Sequence, residues 1–141
     1  MGKKRIVKNS DGAEGAVKAP AASSKKKYDT AVLQVQSTFN NTKLILTDMK
    51  GNAIAWSSSG SLGFKGAKKG TPFAAAKVGE ILADKAIAMG VKEIAVIIKG
   101  VGSGRESSIR SFVTKGVGLM SVTDRTPAPH NGVKAKKPRR V

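Results

Sequence analysis

The chain has 141 residues, about one domain, and 40% of them are apolar, so a core of Val, Ile, Leu and Ala can form. Its 26 Lys and Arg against 9 Asp and Glu give a net charge of +17, which attracts polyanions such as nucleic acid or an anionic membrane face. No cysteine is present, which excludes disulfides, thiol catalysis and cysteine-ligated zinc.

The first 29 residues form a basic segment with little apolar content. Residues 1–28 carry eight basic and two acidic residues, and we expect this arm to be disordered when free. Its lysine run, Lys25 to Lys27, is a candidate for phosphate contacts. No apolar segment follows the basic N-terminus as in a signal peptide, and no apolar run reaches the ~20 residues of a membrane span. We therefore expect a soluble, cytoplasmic protein that does not bind membranes.

Three short strands are predicted next. Residues 31–39 alternate in part, with Leu33, Val35 and Phe39 expected on one side. Asn40 and Asn41 can adopt turn geometry, so residues 42–48 should pair with the first strand as a hairpin. Residues 53–58 complete an antiparallel meander.

The loop over residues 58–70 contains Ser, Gly and Lys and has no acidic residue. Lys65, Lys68 and Lys69 surround Phe64, a combination suited to phosphate contacts and base stacking. The alternative is a flexible solvated loop whose Phe64 folds back into the core.

A helix should begin after Thr71, with Thr71 as N-cap and Pro72 at its first position, and end near Met89 before Gly90. Its polar face carries Lys77, Glu80 and Asp84. The residues expected to form the buried stripe are Ala74, Val78, Ile81, Leu82 and Met89.

The remaining elements are a strand over residues 93–99, a helix over 105–115 and a strand over 119–122. The first of these strands is continuously apolar, which is typical of a strand covered on both faces. Ile109, Phe112 and Val113 should face inward from the helix. Together with the meander, this order predicts an α/β fold with a mixed five-stranded sheet and packed helices.

Glycines alternate between that apolar strand and the second helix. The backbone N–H groups of Gly100, Gly102 and Gly104, with Arg105 beside them, could approach an anion. The alternative is a tight strand-to-helix turn. Neither the dinucleotide fingerprint nor the nucleotide phosphate loop is present. Ser103 and Glu106 have the spacing of a capping box.

An enzymatic function has little support. His130, the single histidine, lies in an irregular segment without a carboxylate or nucleophile nearby in sequence. A two-metal nuclease would need converging carboxylates. The candidates are Asp48, Glu80, Asp84, Glu93 and Asp124.

Several motifs occur in one order along the chain. They are Asn-Asn-Thr (40–42), Gly-Phe-Lys-Gly (63–66), Lys-Gly-Thr-Pro-Phe-Ala-Ala (69–75), Lys-Gly-Val-Gly-Ser-Gly-Arg-Glu (99–106), Thr-Asp-Arg-Thr-Pro-Ala-Pro-His-Asn-Gly (123–132) and the closing Arg-Arg-Val (139–141). From about Thr30 to Val141 the chain resembles the bacterial small-subunit ribosomal protein eleven family. The run Thr-Pro-x-Pro-His-Asn-Gly is highly specific.

The resemblance implies a ribonuclease-H-like fold without nuclease activity, on the platform of the small subunit. There the family bridges separate 16S rRNA helices and helps to form the mRNA's Shine–Dalgarno cleft. It implies ribosomal proteins seven, eighteen and twenty-one as neighbours and initiation factor three and mRNA nearby, with no cofactor or metal and no homo-oligomer. Val101 and Ser103 replace two prolines of the family's glycine loop, and Lys134 stands where the family often has Arg.

These observations divide the chain into an N-terminal arm (1–29), an α/β RNA-binding domain (30–124) and a basic C-terminal extension (125–141). The predicted RNA contacts are Lys25, Lys26, Lys27, Asn40, Asn41, Thr42, Phe64, Lys65, Lys68, Lys69, Thr71, Gly100, Gly102, Gly104, Arg105, Arg110, Arg125, Thr126, Pro127, His130, Asn131, Gly132, Lys134, Lys136, Lys137, Arg139 and Arg140.

Two rivals come from other classes: a basic DNA-packaging protein, which would bind duplex DNA equally well, and a metal-dependent nuclease. Asn131-Gly132 raises a separate question, because a small residue after Asn eases succinimide formation. Asn131 is therefore a candidate isoaspartate, and the alternative is an ordinary turn. An isoaspartate-specific methylation assay distinguishes the two.

Overall fold

The computed structural model describes residues 26–141. Lys25 and most of the predicted N-terminal arm lie outside this part. The elements in chain order are β1 (Thr30–Ser37), β2 (Thr42–Thr47), β3 (Ala53–Ser58), a 3-10 helix (Gly66–Gly70), α1 (Pro72–Ala88), β4 (Glu93–Gly100), α2 (Gly104–Thr114) and β5 (Gly118–Asp124).

The five strands form one mixed sheet in the order β3-β2-β1-β4-β5. Short connections make β1, β2 and β3 antiparallel neighbours. The two helices carry the chain back to the starting end of the sheet, so β4 is parallel to β1 and β5 is parallel to β4. The predicted α/β fold with a mixed five-stranded sheet is confirmed.

The turn between β2 and β3 is fixed by a carboxylate. Asp48 accepts hydrogen bonds from the backbone N–H groups of Lys50 and Asn52, both at 2.9 Å, and from the Asn52 amide at 3.0 Å. Gly51 supplies the positive φ of 94° that the turn requires. The bonds from Asn52, side chain first, lower the pKa of Asp48 below its usual value because they favour the ionised form.

Helix α1 begins and ends as predicted. The Thr71 hydroxyl accepts a hydrogen bond from the backbone N–H of Ala74, and Pro72 is the first helical residue. Gly90 follows the helix with φ 84°. The predicted buried stripe was wrong at Ile81, which is exposed. The face that is buried is wider and built mostly from small residues: Ala74, Ala75, Val78, Gly79, Leu82, Ala83 and Ala86.

Both helices pack on the same face of the sheet and against each other. The core lies between them and the inward residues of β1, β2 and β4, with Phe112 of α2 fully buried. The prediction that β4 is covered on both faces was wrong. Ile94, Val96 and Ile98 are buried, but Ala95 and Ile97 on the other face are only half-buried. Ile109 and Val113, expected inward, are half-buried as well.

Phe39 also departs from expectation. Strand β1 ends at Ser37, where the chain turns through a hairpin closed by a hydrogen bond from the Thr38 N–H to the Asn41 carbonyl oxygen at 2.8 Å. Phe39 therefore stands on the hairpin rather than on the strand's inward side, and 76% of it is exposed.

The contact between the helices depends on Gly79. A Cβ at this position would overlap the Ser111 hydroxyl and lie 2.5 Å from the Ser108 carbonyl oxygen of α2. We expect Gly79→Ala to destabilise the fold by about 1–3 kcal/mol, because α2 must move away. In an uncrowded helix the same change stabilises by up to about 1 kcal/mol. Urea unfolding measures the sign, and a gain in stability would contradict the close helix contact.

Candidate nucleic-acid interface

Most of the predicted RNA contacts converge at one end of the sheet. There β1, β4 and β5 finish while β2, α1 and α2 begin. Four connecting segments meet at this end: the hairpin 38–41, the loop 59–71, the glycine loop 100–103 and the start of the C-terminal extension at 125–126. We call these segments together the upper edge.

The segments of the upper edge lie so close together that several glycines cannot carry a side chain. A Cβ at Gly70 would overlap the carbonyl oxygen of Phe39, and one at Gly100 would overlap that of Ser37. A Cβ at Gly104 would overlap the Thr42 hydroxyl. The loops are therefore packed on one another rather than free to move independently.

The glycine loop does not present an open phosphate cradle. The N–H of Gly100 donates to the Thr126 hydroxyl at 3.2 Å, and the N–H of Gly102 donates to the Ser37 carbonyl oxygen at 3.0 Å. Gly102 and Gly104 are buried. The tight turn, which the sequence left as an alternative, is what the structure shows. Thr42 is also fully buried, so its side chain packs under this loop and offers nothing to an RNA.

The predicted capping box at α2 was wrong. Ser103 makes no side-chain cap and instead donates its hydroxyl hydrogen to the Gly70 carbonyl oxygen at 2.7 Å. This bond links the glycine loop to the lysine-rich loop that precedes α1. Ser103 therefore contributes to the upper edge rather than to the start of its own helix.

Arg105 ties the end of β5 to the glycine loop. Its guanidinium donates to the Gly100 carbonyl oxygen and to an Asp124 carboxylate oxygen, the latter at 2.5 Å. The other Asp124 oxygen accepts from the hydroxyl of Thr126 at 2.6 Å and from its backbone N–H at 2.9 Å. The hydroxyl of Thr126, then Arg105, hold the pKa of Asp124 well below its usual range. This cluster fixes where the C-terminal extension leaves the body.

Aromatic rings stand beside the lysines of the upper edge. Phe64 is half-buried and meets Phe73 edge to face, with ring centres 6.2 Å apart. Phe73 is 64% exposed, and the Lys77 ammonium lies 5.7 Å from the centre of its ring. Phe64 is therefore neither free in a solvated loop nor folded into the core. The sequence prediction missed Phe39 and Phe73, although an aromatic residue in a hairpin or at a helix start is a usable signal.

The predicted cations of the upper edge and of the extension are largely available to a partner. Four ion pairs occur among residues 26–141, and of the predicted RNA contacts only Arg105 takes part in one. The exposed members are Lys65, Lys68, Arg125, Lys134, Lys136, Lys137, Arg139 and Arg140, and Lys69 is half-buried. The uncharged candidates Asn40, Pro127, His130, Asn131 and Gly132 are exposed, while Asn41, Thr71 and Thr126 are half-buried.

Three predicted contacts lie elsewhere. Lys26 and Lys27 sit at the opposite end of the sheet, around a depression shared with Asp48 and Lys50. Arg110 is exposed on the outer side of α2. The structure therefore does not bring these residues to the upper edge.

The carboxylates of a nuclease do not converge in the described part of the chain. Among residues 26–141 no group of three or more His, Asp or Glu could hold a metal ion. Asp84 pairs with Lys115, Glu80 with Lys77 and Asp124 with Arg105.

The helices within residues 26–141 include none with the length and apolar character of a membrane span.

An α/β body with cations and exposed rings at one edge, continued by a basic extension, defines a nucleic-acid-binding protein. The family model for ribosomal protein S11 matches residues 31–140, more than three-quarters of the chain. The chain therefore belongs to the ribosomal protein S11 family, and the resemblance seen in the sequence is confirmed. It is an RNA-binding structural protein of the small ribosomal subunit, with a role in translation.

The Arg105–Asp124 cluster predicts a pH dependence of stability. Because folding lowers the pKa of Asp124, its carboxylate stabilises the fold above the unfolded pKa of about 3.9 and loses this effect as the pH falls below it. We expect Asp124→Asn to be less stable than the native chain at pH 7, with a difference that shrinks below about pH 4. Urea unfolding across this range measures the difference.

Glu93→Gln is the matched control. It removes one negative charge from an exposed side chain with no ion-pair partner among residues 26–141. It shows how much of any effect comes from net charge alone. An Asp124→Asn difference that stayed constant from pH 7 to about pH 3 would contradict the cluster's role.

Proposed function

We propose that the protein binds 16S rRNA on the platform of the small subunit, bridges separate rRNA helices and helps to form the Shine–Dalgarno cleft. One observation carries the proposal: the upper edge carries exposed cations, and the extension over residues 125–141, which begins there, has six basic residues and no acidic one. A body surface and an extended basic segment can contact two different RNA helices at once. The family's place on the platform supports this assignment.

The proposal gives each part a role. The domain over residues 30–124 presents a shaped surface, and the extension over residues 125–141 runs along phosphates. Pro138 keeps the tail from being helical, which suits a segment threaded between RNA strands. The arm over residues 1–29 would add phosphate contacts, and its described residues Lys26 and Lys27 lie at the opposite end of the sheet. In this role the protein binds and orders RNA and catalyses no reaction.

The proposed position on the platform also determines which molecules lie next to the protein. Ribosomal proteins seven, eighteen and twenty-one are its neighbours, and mRNA and initiation factor three are close by. In this proposal the protein acts in the cytoplasm, on the small subunit, without forming a homo-oligomer. About eight phosphate contacts would make affinity fall by roughly 10³–10⁵ between low and moderate salt.

A salt series with two ligands tests the RNA assignment. We expect a platform rRNA fragment to stay bound at about 0.15 M salt, while duplex DNA of equal length dissociates. Both ligands gain binding free energy from phosphate contacts. Only the RNA gains more from the recognition of its shape and of its unpaired bases. Equal affinities with equal salt slopes for the two ligands would instead favour the DNA-packaging rival.

The extension has its own test. We expect Arg139→Ala with Arg140→Ala to weaken binding to the platform fragment about tenfold near 0.15 M salt and to make the salt slope shallower by about 1.4–1.8, since two phosphate contacts are lost. Lys92→Ala with Lys115→Ala is the control, because it removes the same charge from exposed positions that are not among the predicted RNA contacts. Normal binding and subunit assembly by the arginine variant would argue against the extension's role.

Asn131 remains a candidate isoaspartate. It is the one residue other than glycine with a positive φ, 59°, among residues 26–141. This left-handed conformation is one that Asn tolerates in turns. It supports the ordinary turn without excluding the succinimide route, so the methylation assay still decides between them.

A further inference from the structure

The face of the sheet opposite the helices is uncovered in residues 26–141. One row of paired positions crosses this open face. In order from one sheet edge to the other, the row contains Trp56, Ile45, Gln34, Ile97 and Thr123. Because paired residues of adjacent strands share a face, Trp56 stands on the open face, and 59% of it is exposed.

The neighbouring row, two residues nearer the upper edge, is cationic. Lys43 and Lys99 flank Gln36 on the adjacent strands, so their Cα atoms are about 10 Å apart. Arg125 follows β5 directly, and its N–H donates to the Ile98 carbonyl oxygen at 2.8 Å. Between the two rows lies a groove of about 410 Å³, lined by Gln34, Val35, Gln36, Lys43, Ile45, Ile97, Lys99 and Arg125. Trp56 stands beside this groove on the edge strand β3, paired with Ile45.

The groove contains three cations and no acid. Glu93, the acid on this face of β4, is six residues from Lys99, roughly 20 Å along the strand. Asp124 is held by Arg105 at the strand end. The charge of the groove therefore complements a polyanion and disfavours a basic partner or a second copy of this basic chain.

We propose that the open face binds a single-stranded RNA segment, a second RNA surface beside the upper edge. This inference rests on the proposed RNA-binding function and deepens it. Lys43, Lys99 and Arg125 contact successive phosphates, and an unpaired base stacks on the Trp56 indole. Ile45 and Ile97 form an apolar floor, and the amides of Gln34 and Gln36 can hydrogen-bond to base edges.

A single strand fits better than a duplex for a chemical reason. The bases of a duplex are stacked on one another, so an exposed indole on a sheet cannot reach their faces. Unpaired bases are free to stack on an aromatic side chain while the phosphates follow a row of cations. Arg125 lies in the groove and also begins the C-terminal extension, so the strand would run directly onto the upper edge.

Trp56 is the single tryptophan of the chain and therefore reports on this surface directly. The full chain is titrated with a short oligoadenylate RNA while tryptophan emission and the anisotropy of a labelled copy of the RNA are followed. We expect saturable quenching of Trp56 with the same midpoint as the anisotropy change. Trp56→Ala should lower affinity about tenfold, because the stacked base loses its partner.

The cation row is tested by Lys43→Gln with Lys99→Gln, which removes the charge and keeps a polar side chain only one atom shorter. Loss of two phosphate contacts should reduce affinity for the oligoadenylate about tenfold at about 0.15 M salt and make the salt slope shallower by about 1.4. Lys92→Gln with Lys115→Gln is the control with equal charge, because both lysines are exposed and line neither the groove nor the depression beside Trp56, and it should leave binding within about twofold. Circular dichroism and urea unfolding verify that all variants fold.

The outcomes separate this inference from the function on which it rests. If the platform fragment binds and depends on Arg139 and Arg140, while Trp56 is unquenched and the Lys43/Lys99 variant binds normally, the open-face proposal is overturned and the proposed function stands. If the full chain binds neither RNA, both fail. If an acidic peptide, polyglutamate, quenches Trp56 as strongly as the RNA at equal charge, the surface recognises charge alone and the RNA assignment is overturned.

Discussion

The upper edge depends on the guanidinium of Arg105. This one group joins the Gly100 carbonyl oxygen to the Asp124 carboxylate, and Asp124 in turn binds Thr126. The final strand, the glycine loop and the start of the extension are thereby fixed relative to one another. Lysine could not replace it, because an ammonium lacks the planar fork that reaches two acceptors at once. The extension therefore leaves the body at a fixed point, as the proposed contact with two separate RNA segments requires.

One-sided packing shapes the rest of the molecule. With both helices on the same face, α1 must lie close to α2, which explains its alanine-rich buried side and Gly79. The same arrangement leaves the polar and cationic side of the sheet to solvent. A small domain with few aromatic residues in its core thus keeps a large surface for a partner. Half of its six rings, Phe39, Phe73 and Trp56, are exposed.

The sequence predicted the elements well because their signals are local. Alternation, the Asn-Asn connection, Thr71-Pro72 and Gly90 each act within a few residues. The prediction from sequence failed where a hydrogen bond depends on a partner that is distant in the chain. Ser103 prefers the Gly70 carbonyl oxygen, 33 residues away, to its own helix, and the glycine N–H groups are taken by Ser37 and Thr126. The sequence also did not reveal that the helices cover only one face of the sheet. The apolar run of β4 does not show which of its two faces is exposed to solvent.

The order of strands in the sheet has a kinetic consequence. The hairpins β1–β2 and β2–β3 join neighbours in the chain and can form early. The parallel pairs Thr30–Glu93 and Glu93–Gly118 are distant in the chain. They form only after the long loops between them have closed. The upper edge needs both kinds of pairing, since Gly100 rests on Ser37 and Gly70 on Phe39. In the proposed RNA-binding role, a complete edge is therefore offered to RNA only by a fully folded body, and a partly folded chain would compete poorly for a place in the subunit.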